Sequence, residues 1–163
     1  MDQFIGGLYR FIFYAMAGLC LEMIFSAQGI DEVMGYDVKR RKPKKYLEGF
    51  VSIFMLPVHG LLYLFLFEPI FSMISNVSIF ERFWTWAILI TACEWLSGWF
   101  FEMVLGFFPW DYYKKSKFRI TDKGYSLWTL APLWGAYGLF LELYSTFLIK
   151  NTPGAVEIIK TLI

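Results

Sequence analysis

The sequence holds one histidine and two cysteines, and charged residues make up only 18% of its 163 positions. One histidine and no Cys-x-x-Cys pair leave no ligand set for a tetrahedral zinc site, so no metal is expected. Cys20 and Cys93 each fall inside an apolar run, where a thiol behaves as a small apolar side chain rather than half of a disulfide. No Gly-x-x-x-x-Gly-Lys-Ser/Thr stretch occurs, so an ATPase would have to be a separate subunit. A net charge of +1 gives no field for nucleic acid. No cofactor motif is present, and none is expected.

What remains is apolar. Hydrophobic residues reach 58%, aromatics 21%, and the mean hydropathy is +0.50. Four runs, about 5–27, 49–73, 83–107 and 125–149, are long enough for helices crossing a bilayer, which takes ~20 residues. Backbone polar groups in lipid must bond internally, which makes helices the expected form. Asp2 before Arg10, and Glu22 within the first run, argue against a cleaved signal. Lys39, Arg40, Arg41, Lys42, Lys44 and Lys45 crowd the first connection, loop 37–48. Lys114, Lys115, Lys117, Arg119 and Lys123 crowd the third, loop 114–123, whereas the second holds essentially Arg82. The bias toward basic residues predicts cytoplasmic first and third connections, with both termini outside. Those clusters also suit anionic headgroups. Trp110, Tyr112 and Tyr113 are expected at the membrane interface.

The halves resemble each other. GLCLEM (18–23) matches GWFFEM (98–103), pairing Glu22 with Glu102, and Gly49, Pro57 and Gly60 match Gly124, Pro132 and Gly135. The chain therefore reads as one membrane domain over 1–163, all-α, an integral membrane four-helix bundle built from two parallel helix-hairpin repeats (about 5–73 and 83–149). Pro57 and Pro132 are expected to break their helices together with Gly60 and Gly135, freeing the carbonyls of Ile53 and Trp128. Matched broken helices point to a midplane binding site.

Glu22, Glu68, Glu94, Glu102, Glu142 and His59 fall within the predicted spans, where ionisable residues face the bundle interior. Glu94, Gly98 and Glu102 share one helix face, as do Tyr14, Gly18 and Glu22. Glycine there admits a neighbouring helix closely. Glu22, His59, Glu94, Asp111 and Trp134 are the ligand or pathway candidates; no catalytic residue stands out.

GLCLEMIFSA (18–27), ACEWLSGW (92–99), PWDYY (109–113) and the later Gly124, Trp134 and Glu142 resemble the putative ABC-transporter type IV family, which includes the vertebrate transmembrane protein 229 group. The resemblance spans nearly the whole chain. It implies importance for Glu22, Gly49, Ser52, Gly60, Glu68, Glu94, Gly98, Trp110, Asp111, Tyr112, Gly124, Trp134 and Glu142. Tyr113 stands where the family usually has a small polar residue.

Three functions fit these residues. The first is a permease-like transport component of the cell (inner) membrane, which four helices could form only as a homodimer or with a partner membrane subunit. The second is a membrane-embedded lipid or isoprenoid enzyme using Glu94 and Asp111. The third is a non-catalytic lipid-binding or assembly protein. The transport reading is preferred, with membrane lipids as surroundings and no nucleic acid.

Overall fold

The computed structural model describes residues 1–28, 30–39 and 43–162; Arg40, Arg41 and Lys42 of the first basic cluster lie outside the described residues. Its regular elements are helical: α1 (Asp2–Gln28), α2 (Ile30–Met34), α3 (Met55–Leu62), α4 (Glu68–Ile74), α5 (Ile79–Leu105) and α6 (Ala131–Leu162). A π turn, Tyr63–Phe67, joins α3 to α4. Short 3₁₀ turns cover Lys44–Tyr46, Asp111–Lys115 and Trp128–Leu130. Among the described residues, three helical segments are long and apolar enough to cross a membrane: Asp2–Gln28, Met55–Ile74 and Ile79–Leu105. α6 is longer than any of them, but Glu142, the hydroxyls of Ser145 and Thr146 and its polar C-terminal half dilute its hydropathy. It begins later than the run at 125 and continues through Pro153 to Leu162, well past 149.

Local chemistry sets the ends of α5. Ser78 and Glu81 form a reciprocal capping box at its start, satisfying two backbone donors that the first turn leaves orphaned. Gly106 closes it at φ 78°, its N–H bonded to the Glu102 carbonyl, a left-handed stop that a side chain would disfavour.

Neither proline breaks a helix. Pro57 stands in the first turn of α3 and Pro132 in the first turn of α6. There a missing N–H costs nothing, because the first-turn donors have no intrahelical acceptor. The Ile53 carbonyl accepts instead from the Leu56 N–H at 3.1 Å. α3 and α6 run straight on through Gly60 and Gly135, which serve as contact points: a Cβ would strike the Phe11 ring at Gly60 and the Phe83 ring at Gly135. The irregularity of the second membrane segment is the π turn that follows.

Neighbouring helices pack antiparallel, α3 on α1, α1 on α6 and α6 on α5. α3 and α5 close the ring with their backbones apart. The seam between them is bridged by rings, Phe54 against Phe101 and Phe67 against Trp86. At one end α1 and α6 meet through Lys160 and Asp2, 2.5 Å apart.

The two long connections meet at the other end and fold into a cap. Tyr36 donates to the Tyr112 carbonyl (2.6 Å), Ser116 to the Met34 carbonyl (2.8 Å) and Thr129 to the Val33 carbonyl (2.8 Å). Ile30, Met34, Phe108, Trp110, Tyr113 and Leu127 are buried beneath. Trp110 and Tyr113, predicted at the membrane interface, are thus core residues: the Trp110 Nε1–H donates to the Tyr125 carbonyl at 2.8 Å. A tight turn at Thr121–Gly124 folds residues 118–120 back on 126–128 through the Ile120 N–H to Ser126 carbonyl and Trp128 N–H to Phe118 carbonyl bonds. Gly124 has φ 70°, and a Cβ there would meet the Lys114 backbone. Gly124→Ala should therefore cost about 1–3 kcal/mol of strain, read as a lower melting temperature in nanodiscs, with Gly106→Ala, whose Cβ would meet open space, costing less.

Candidate functional site

A cavity of about 100 Å³ lies beneath the cap, between α1, α3, α5 and α6. Glu22, His59, Glu94 and Trp134, one from each of these helices, line it. Asp111 does not: it is exposed on the outside of the cap, and its neighbours Trp110, Tyr112 and Tyr113 face the cavity instead. In a 3₁₀ turn, successive side chains point in different directions, so the Trp-Asp-Tyr-Tyr run can put only some of them inside. Glu94 and Asp111, the candidates of the enzyme reading, are therefore not brought together.

His59 Nε2 lies 2.8 Å from Glu22 Oε1, and His59 Nδ1 lies 2.9 Å from the Tyr63 hydroxyl. The ring thus links Glu22 of α1 to the Tyr63 hydroxyl, which lies 3.3 Å from that of Tyr137. Gly18 makes the contact possible, since a Cβ there would lie within the His59 ring. The second oxygen of Glu22 has no partner among the described residues.

Glu94 is held differently. It accepts from the Ser126 hydroxyl, the Trp134 Nε1–H (3.3 Å) and the Tyr113 hydroxyl (3.3 Å). Three donors thus converge on one carboxyl. The turn at Gly124 delivers Ser126, and the Asp111–Lys115 turn delivers Tyr113, so the cap places two of the three. Burial and then the Glu94 charge push the Tyr113 phenol far above its ordinary range. Burial, followed by Glu22 and Glu94, does the same to Tyr112. Both therefore keep their protons at any physiological pH.

Three more carboxyls of the predicted spans have partners outside the cavity. Glu68 accepts from Arg10 Nε and the Tyr14 hydroxyl, both at 2.8 Å. Glu142 accepts from the Trp86 Nε1–H at 2.7 Å and lies 3.3 Å from Arg82 Nη1. Glu102, predicted inside a span, sits at the edge of the cap, taking the Tyr125 hydroxyl with Lys114 (3.4 Å) and Lys123 (3.6 Å) nearby. Four of these five carboxyls thus take a Tyr or Trp donor from a distant element, a pattern that residue spacing along one helix does not carry. No cluster of metal-ligating side chains occurs among the described residues.

The model of the family described as Putative ABC-transporter type IV matches residues 9–162. The chain belongs to that family. The match takes in all four cavity-lining helices and the cap. Comparison with curated proteins and with solved structures gives no match. The family's description names a transporter type, in keeping with the three apolar helices of this member.

Proposed function

We propose that this chain is a permease-like transport component of the cell (inner) membrane, with the capped cavity as its solute site. The observation that carries this reading is the meeting of Glu22, His59, Glu94 and Trp134 around one space from four different helices. Ionisable groups inside a membrane are costly and mark pathways where they face a common cavity. In this reading α6 is a fourth crossing helix, the capped end with its lysines is cytoplasmic, and both termini lie outside. So small a bundle works as a homodimer or with a partner membrane subunit, the α3–α5 seam being its loosest side.

Recurring contacts support two helix-hairpin repeats. Arg10 and Tyr14 hold Glu68 as Arg82 and Trp86 hold Glu142. Phe11 covers Gly60 as Phe83 covers Gly135, and Glu22 meets His59 as Glu94 meets Trp134. These contacts pair Glu22 with Glu94, whereas the matching of GLCLEM to GWFFEM pairs it with Glu102. From glycine to clamped glutamate, the first repeat is one residue longer, and the π turn absorbs it.

Reconstituted into proteoliposomes, the protein should take up a charged or amphipathic solute. Glu22→Gln or Glu94→Gln should cut that uptake by an order of magnitude or more, against little change for Glu102→Gln. Absence of flux across a panel of organic cations, anions and amphiphiles would overturn the proposal.

A further inference from the structure

We infer that the cavity takes a small organic ammonium cation. This rests on the cavity being a solute site. Among the described residues no lysine or arginine lines the cavity, and His59 is the one basic side chain there. That base is already committed to Glu22, so an anion entering the cavity would meet two carboxyls with no free positive partner. A neutral solute without a donor would leave the open oxygen of Glu22 unpaired where water is excluded, which is costly. An ammonium group meets both needs.

The walls fit the same chemistry. Phe25, Tyr63, Phe67, Tyr112 and Trp134 present aromatic faces or edges to the space, and ring faces attract cations most strongly where water is excluded. The two carboxyls divide the work. Glu94 is held by three donors, while the second oxygen of Glu22, without a partner among the described residues, is open to an N–H or to the polarised methyl groups of a quaternary head. The size agrees as well: a cavity of ~150 Å³ holds benzene, so about 100 Å³ suits a head of a few carbons. Exposed Phe50 and Val51 stand at the rim, a route from the bilayer that avoids the lysines of the cap.

Cys93 lines the cavity and supplies the readout. In a Cys20→Ser background in nanodiscs, the rate of maleimide labelling of Cys93 is measured against choline, its uncharged isostere 3,3-dimethylbutan-1-ol, and the anion 3,3-dimethylbutanoate. Choline should protect at concentrations at least tenfold below the alcohol, and the anion should not protect. Glu22→Gln should erase the difference between choline and alcohol. Equal protection by choline and alcohol, better protection by the anion, or no protection by any of the three overturns the inference, and each is read without altering a cavity residue. Better protection by the anion would leave the transport reading standing with another substrate. Protection by choline without choline uptake into proteoliposomes would sustain the cation site and overturn transport.

Discussion

Replacing Trp110 by alanine should unfold the cap while the membrane helices persist. Trp110 is buried under the first and third connections, packed edge-on to Phe101 and Phe108. Truncating a buried aromatic of this size costs about 3–5 kcal/mol. The Tyr125 carbonyl loses its indole donor as well, and an orphaned buried acceptor adds about 1–3 kcal/mol. The sum approaches the whole stability of an ordinary domain, ~5–15 kcal/mol. Helical circular dichroism should fall only slightly. Amide exchange in residues 106–130 should rise to near the unprotected rate, because the few hydrogen bonds across the cap cannot hold those turns without the buried core around Trp110. Loss of the cap also removes Ser126 and Tyr113 from Glu94, so cation protection of Cys93 should vanish. Retained slow exchange across 106–130 would show that the cap stands without this residue.

Gly18→Ala should have the second-largest effect, and one opposite in sign to an ordinary helix glycine. In a helix, alanine normally improves on glycine by about 0.5–1 kcal/mol. Gly7, on the same helix, has open space where its Cβ would be, so Gly7→Ala should raise the melting temperature. At Gly18 the methyl group would occupy the His59 ring position. Either α3 retreats from α1 or the imidazole turns away, at about 1–3 kcal/mol for overpacking. Losing the 2.8 Å contact to Glu22 removes a charge-assisted hydrogen bond, worth a further ~1.5–3 kcal/mol. Thermal unfolding of both variants in the same nanodisc checks the prediction. Equal shifts for Gly7→Ala and Gly18→Ala would sink it.

The parts legible in the sequence were those with local causes. Long apolar runs specify helices wherever they sit, so α1 and α5 lie close to their predicted spans. Depth along a run marks His59 and Glu94 as the innermost ionisable groups; Glu22, nearer a helix end, lines the same cavity with them and Trp134. The cap was not legible, because it depends on which of two distant connections meets the other. Trp110 and Tyr113 look alike in sequence whether they rest at a lipid interface or beneath folded loops. The prolines misled for a related reason. An apolar run continues upstream of Pro57, and only the non-helical path of residues 47–54, with Leu47 at φ 51°, reveals that α3 starts at Met55. Glu102 looked buried because its neighbours on α5 are apolar, while its partners Lys114 and Lys123 come from beyond the helix end.

The interlocked cap also dictates an order of events during synthesis. Its bonds join Val33 and Met34 to Ser116 and Thr129, and the wall of the cavity is completed by Trp134. A nascent chain that has inserted only its first two segments holds Glu22 and His59 with neither roof nor opposite wall. The site comes into being in one late step, when the last quarter of the chain arrives and closes over residues made long before.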